Sequence, residues 1–150
     1  MSHFAFIGSG NMAAAMVRGL LSRPGAAPTD LACIGGAGMS SFLLSQSTGI
    51  RLATSPADLL AGADVVVIAC KPQQLPGLDR AYAELTADKI VISVLAGTRL
   101  ERLRGAFPRA RALIRTMPNT PGSIGQGITA WCVESPLAED DRALVAQLLV

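Results

Sequence analysis

The sequence predicts an α/β domain, a doubly wound, mostly parallel sheet with helices on both faces. Short apolar runs such as Phe4-Ala5-Phe6-Ile7 and Ile90-Val91-Ile92-Ser93-Val94 alternate with helical stretches at a spacing that suits βαβ units. Those runs are continuously apolar, as strands covered on both faces require. Half of the 150 residues are hydrophobic but only 4% are aromatic, so small side chains fill the core and its elements must approach closely.

The first strand, residues 4–7, stops at Gly8-Ser9-Gly10. Residues 11–22 read as a helix with Met12, Ala15, Met16 and Leu20 on its apolar face and Arg18 opposite, broken by Pro24, Gly25 and Pro28. A second strand at 31–34 runs into Gly35-Gly36-Ala37-Gly38, and a helix at 40–47 follows with Gly49 near its end. Ser55 ahead of Pro56 is a hydroxyl cap with proline at the first helical position, opening a short helix to about Ala61 with Gly62 as its stop. Residues 65–69 make the clearest strand, continuous and β-branched, ended by Lys71-Pro72. Then come a helix at 75–85, a strand at 90–94, a helix at 99–107, and strands at 113–114 and 128–133. The last helix, 138–150, is apolar at Leu144, Val145 and Leu148, and is expected to lack neighbours for that face.

Length fits one domain. Thirteen basic against eleven acidic side chains leave a formal charge of +2, too weak a field to point to nucleic acid or an anionic membrane. Cys33, Cys70 and Cys132 lie apart in apolar runs with no Cys-x-x-Cys pair, which reads as buried thiols in a reducing compartment. The single histidine, His3, argues against zinc, and no metal site is expected. Residues 1–27 lack a basic start, and residues 31–50 are uncharged but rich in glycine and serine, so neither reads as a targeting or membrane segment. A cytoplasmic location is expected.

Gly8-Ser9-Gly10-Asn11-Met12-Ala13 is a G-x-G-x-x-A pattern lying where a dinucleotide fingerprint belongs, after the first strand and opening the first helix. Gly8 permits the tight turn, Gly10 removes a Cβ that would meet a pyrophosphate, and Ala13 lets the helix lie close to the sheet. Free N–H groups at the helix start then face the anion. The fold is therefore Rossmann-like. After the second strand stands Gly35-Gly36-Ala37-Gly38-Met39-Ser40-Ser41, with neither the acid that binds a ribose diol nor an arginine. That favours NADP (as NADPH), with NAD also open; the glycines would equally serve a plain tight turn.

Three further segments follow carboxyl ends of strands: Ala69-Cys70-Lys71-Pro72-Gln73, Leu95-Ala96-Gly97-Thr98 and Thr116-Met117-Pro118-Asn119-Thr120-Pro121-Gly122. Ligands of open α/β sheets bind at that edge. Lys71 is delivered there by a buried strand, and Asn119 is held between prolines, though a solvated lysine and an ordinary turn Asn explain both equally. Arg99, Arg102, Arg104, Arg109, Arg111 and Arg115 read mostly as a solvated face. No Ser-His-Asp set or paired-carboxylate site is visible, and no catalytic residue is assigned.

Taken together, Phe6 to Ala13, Ala63-Asp64-Val65 leading to Ala69–Gln73, Ser93–Thr98 and Arg115–Pro121 resemble the amino-terminal domain of the pyrroline-5-carboxylate reductases. The resemblance implies reduction of 1-pyrroline-5-carboxylate to L-proline with NADPH or NADH, in proline biosynthesis. It places Ile7, Gly8, Ser9, Gly10, Asn11 and Met12 at the pyrophosphate, and Gly35 and Gly36 near the adenosine ribose. Ala69, Cys70, Lys71, Pro72 and Ala96 would line the nicotinamide side, with Asn119 close by. It further implies a dinucleotide-binding domain over residues 1–137, and a helix at 138–150 leading to a helical dimerisation and substrate domain outside this chain. The complete protein would be a homodimer or higher oligomer, and this chain alone would be inactive. The family often has Ser, Asn or Arg where Gly35–Gly38 stand, and an Asn near Ser55 and Pro56. The alternatives are a β-hydroxyacid dehydrogenase-like or deazaflavin-dependent NADP reductase, and a nucleotide-binding module without turnover.

Overall fold

The computed structural model describes residues 2–36, 38–118 and 129–149. Seven strands form one sheet: β1 (Phe4–Ile7), β2 (Leu31–Ile34), β3 (Arg51–Leu52), β4 (Val65–Ile68), β5 (Ile90–Ser93), β6 (Ala112–Pro118) and β7 (Thr129–Val133). Their order is β3-β2-β1-β4-β5-β6-β7. Every pair is parallel except β6 with β7. This is a Rossmann-like doubly wound sheet, as the strand and helix rhythm predicts.

Six α-helices accompany it among the described residues: α1 (Asn11–Leu21), α2 (Ser40–Thr48), α3 (Pro56–Leu60), α4 (Tyr82–Leu85), α5 (Leu100–Ala106) and α6 (Glu139–Leu149). Side-chain alternation splits the core in two. Phe4, Phe6, Val65, Val67, Ile90 and Ile92 face α1, α2 and α6, while Ala5, Ile7, Val66, Ile68 and Val91 face α3, α4 and α5.

Several elements differ from the sequence expectation for physical reasons. Of the face expected for α1, Leu20 is buried and Met16 packs against the core, while the other buried positions are Ala13 and Val17 and Met12 is only half-buried. The helix expected at 75–85 is divided: a 3₁₀ turn covers Pro72–Gly77, and α4 begins only at Tyr82. Pro76 offers no N–H to an α-helical ladder, and Gly77 adds little to hold one. β3 escaped notice because its two residues are both exposed. The strand expected at 113–114 extends to Pro118, through polar Arg115 and Thr116. Thr116 is nonetheless buried, its hydroxyl donating to the Ser93 carbonyl at 3.0 Å.

The cysteines are not uniformly buried: Cys33 is, Cys70 is half-buried, and Cys132 on the outermost strand β7 is exposed. The apolar face of the last helix does have neighbours. Val145 of α6 is fully buried in the core that holds Ala13 and Val17, with Leu144 and Leu148 packed beside it. Arg111 pairs with Asp141 at 2.8 Å and fastens the start of α6 to β6. Among the described residues, no helix is long and apolar enough to cross a membrane.

The buried Tyr82 provides a test of the α3–α5 side. Burial, with smaller contributions from Asp79 and Cys70, pushes its phenol up to about 12. The folded state therefore holds this proton more tightly than the unfolded chain, whose tyrosine titrates near ~10. Stability contributed by Tyr82 is complete below that value and is lost as pH rises toward about 12. Urea melts across this range should show the wild type losing stability more steeply than Tyr82→Phe. Parallel pH profiles would mean that Tyr82 is solvated.

Candidate functional site

The site begins where β1 ends. Gly8 has φ +104°, and a Cβ there would lie 2.5 Å from the Ala69 carbonyl and 2.6 Å from the Cys70 nitrogen. Only glycine allows this turn to rest on the end of β4. The Gly8 N–H donates to the Ile34 carbonyl at 2.9 Å, and the Ala69 N–H donates to the Ile7 carbonyl at 2.8 Å. The carboxyl ends of β2, β1 and β4 are thereby tied together. β1 is also where the chain winds first toward β2 and later toward β4, the switch point at which open α/β sheets form a crevice.

Gly10 is the N-cap of α1, in ordinary extended backbone and with no side-chain cap. Among the described residues, a Cβ added to it would meet nothing within 4 Å, so none of them fills the space above this residue. The first turn of α1 carries no acidic residue. Its leading N–H groups have no intrahelical acceptor, and the helix dipole adds positive potential. This end of the crevice can hold a phosphate.

At the end of β2, glycine is again dictated by close packing. A Cβ on Gly35 would lie 2.8 Å from the Ser41 side chain and 3.0 Å from the Ser9 hydroxyl. Ser9 and Ser40 share a hydrogen bond of 2.8 Å between their hydroxyls. Ser9, Ser40 and Ser41 thus form a hydroxyl cluster around Gly35, with open space at Gly36 and no carboxylate among them. Sequence reasoning included Ser40 and Ser41 in the segment after the second strand but gave their hydroxyls no role. The signal was a pair of hydroxyl residues directly after a glycine-rich turn.

The structure brings Ile7 to Met12, Gly35, Gly36 and Ala69 to Pro72 to one edge, across three adjacent strand ends. The Lys71 side chain is exposed there, while its backbone N–H donates to the Gln74 side chain at 2.8 Å. Burial pushes the Cys70 thiol up, so it stays protonated and is a poor nucleophile at neutral pH. Ala96 is exposed one strand further along, after β5, where the Leu95 N–H donates to the Ser93 hydroxyl at 3.1 Å. Asn119 lies outside the described residues. A cleft of about 210 Å³ lies at the opposite, amino-terminal edge of the sheet, lined by His3, Asp30, Arg51 and Leu59 among others. It is remote from the glycine turns. Among the described residues, no group of His, Cys, Asp or Glu is placed to hold a metal ion.

A family model described as NADP oxidoreductase coenzyme F420-dependent matches residues 3–97, from β1 through the loop after β5. The chain belongs to this family. The chain is also similar to proteins named pyrroline-5-carboxylate reductase. One from Vibrio alginolyticus is 32% identical over 97% of this chain and 53% of its own length. One from Pisum sativum is 33% identical over 95% of this chain and 52% of its own. The solved structure of the reductase from Coxiella burnetii superposes with a TM-score of 0.88 at 26% identity, covering 98% of this chain and 55% of that one. The chain therefore spans about half the length of the curated relatives it matches.

Proposed function

We propose that this chain is the cofactor-binding part of an NADPH-dependent reductase acting on 1-pyrroline-5-carboxylate and yielding L-proline. The observation that carries the reading is the similarity to reductases of that name across nearly the whole chain, in a bacterium and a plant alike. The crevice fits the cofactor. Gly8 to Met12 would hold the pyrophosphate on the first turn of α1, over the open space at Gly10. Gly35, Gly36 and the serine hydroxyls would receive the adenosine ribose and its 2′-phosphate. Ala69 to Pro72 and Ala96 would flank the nicotinamide, with Asn119 beside it.

When bound, NADPH supplies a hydride to the imine carbon, the imine nitrogen ending protonated. The chain's own share is to fix the dinucleotide along the sheet edge and to keep carboxylates away from its phosphates. Residues 1–137 are taken as this unit and residues 138–150 as leading to a helical substrate and dimerisation domain. A cytoplasmic homodimer or higher oligomer follows from the same reading, without nucleic-acid or membrane partners.

Gly36→Asp tests the ribose end. The new carboxylate repels a 2′-phosphate by about 1–4 kcal/mol for close charges near a surface, and leaves a 2′-hydroxyl to accept or donate freely. NADPH affinity should fall more than NADH affinity in paired titrations. Tighter NADH than NADPH binding by the unmodified chain would contradict the assignment.

Turnover is tested by NADPH oxidation with racemic 1-pyrroline-5-carboxylate, comparing residues 1–150 with the protein expressed from its whole natural reading frame. Activity only in the latter is the expected result. Because the family's description names a deazaflavin coenzyme, reduction of NADP by the reduced deazaflavin is the competing assay. Activity there alone would replace the imine reading.

A further inference from the structure

Among the arginines of the β5–β7 region, Arg99 and Arg102 are exposed to solvent, and Arg104, Arg109 and Arg111 are matched by carboxylates. Arg104 donates to both carboxylate oxygens of Glu134 and to the carbonyls of Pro108 and Ala110. Arg109 pairs with Glu84 at 2.6 Å, and Arg111 pairs with Asp141 while also donating to the Asp88 carbonyl. Arg115 differs. It is half-buried on β6, and its Nε is buried with no hydrogen-bond partner, the one such side-chain nitrogen or oxygen among the described residues. A guanidinium cannot shed its charge to ease burial, so an unmatched buried donor is a standing cost to the fold.

Its position is informative. Arg115 is in register with Ser93, the last residue of β5, and so stands near the carboxyl edge of the sheet. Nearby acceptors are engaged: the Ser93 carbonyl by the Thr116 hydroxyl at 3.0 Å, and the Ser93 hydroxyl by the Leu95 N–H at 3.1 Å. From β1 to β6 there are three strand steps, roughly 14 Å at about 4.8 Å each. That separates Arg115 from a phosphate held on α1 and sets it beside the loop bearing Ala96, at the far end of the crevice.

We infer that Arg115 is the cationic half of a carboxylate-binding site at the nicotinamide end of the crevice, the assignment of that end resting on the proposed function. A planar guanidinium pairs with a carboxylate through parallel N–H donors. The carboxylate belongs either to the imino-acid substrate or to an acidic side chain brought in by protein outside residues 1–150. Both sources meet the same buried donor.

The test has three arms. In residues 1–150 alone, Arg115→Met removes an unmatched donor and should leave the melting temperature unchanged or raised. A clear fall would show that Arg115 serves the fold and would overturn the inference. In the protein from the whole reading frame, rates are compared for 1-pyrroline-5-carboxylate and for 1-pyrroline, which lacks the carboxylate. A substrate source predicts that Arg115→Met lowers kcat/KM about tenfold or more for the first alone, with partial rescue by Arg115→Lys. A side-chain source predicts that both rates fall together with the melting temperature, again with rescue by lysine. Unchanged rates and melting, or a loss confined to the KM for NADPH, would overturn it. If the wild type oxidises NADPH with neither imine, the proposed function has failed, and the third arm decides Arg115 separately. There the ¹⁵N-resolved Nε–Hε signal of Arg115 in residues 1–150 should move on titration with L-proline or acetate and not with pyrrolidine. No movement with either carboxylate would overturn the assignment.

Discussion

Gly8→Ala should destabilise the chain by about 3–5 kcal/mol, among the largest effects of any single methyl group added here. Two costs combine. Gly8 has φ +104°, where an L side chain is strained, and its new Cβ would stand 2.5 Å from backbone atoms of Ala69 that cannot swing aside. Relief requires β1 to separate from β4 at the hydrogen bond from the Ala69 N–H to the Ile7 carbonyl. Gly25 is the control. It also has a positive φ, +82°, but open space around its Cβ position, so Gly25→Ala bears the conformational strain alone, about 1–2 kcal/mol. Urea melts of both variants measure the difference. Equal losses would mean that the turn after β1 does not rest on β4.

Much of the sheet was legible because buried strands leave a plain signature. Val65 to Ile68 and Ile90 to Ser93 are continuously apolar, and no helical face competes for those residues. The turn glycines were legible too, since G-x-G-x-x-A after a strand states a geometric need that Gly8 fulfils. What escaped is what composition cannot encode. β3 consists of two exposed residues, Arg51 and Leu52, and is a strand only because β2 supplies a partner. β6 continues through Arg115 and Thr116, polar residues inside the sheet, where Thr116 is buried by bonding to Ser93. The helix expected from residue 75 ignored how completely Pro76 and Gly77 interrupt an α-helical ladder. Helical spacing set Met12 on the apolar face of α1, yet the residues that the fold buries there are Ala13, Val17 and Leu20. The serine cluster at Gly35 joins residues 31 positions apart, Ser9 and Ser40, and only the fold brings them together.

Gly10→Val separates binding from folding most cleanly. Gly10 has φ −75° in extended backbone that valine adopts, and no described residue lies within 4 Å of its Cβ position. The fold should therefore lose less than about 1 kcal/mol, from the weaker N-cap. The branched side chain instead fills the space over the first turn of α1, where the pyrophosphate is proposed to lie. NADPH affinity should fall about 100-fold or more, equivalent to ~2.7 kcal/mol. Calorimetric titration of NADPH into the wild type and Gly10→Val, with thermal melts of both, is the most direct test of dinucleotide binding in the crevice between β1 and β4. Saturable one-site binding by the wild type, abolished in a variant that still folds, is the predicted result. Equal affinities, or no binding by the wild type, would contradict it.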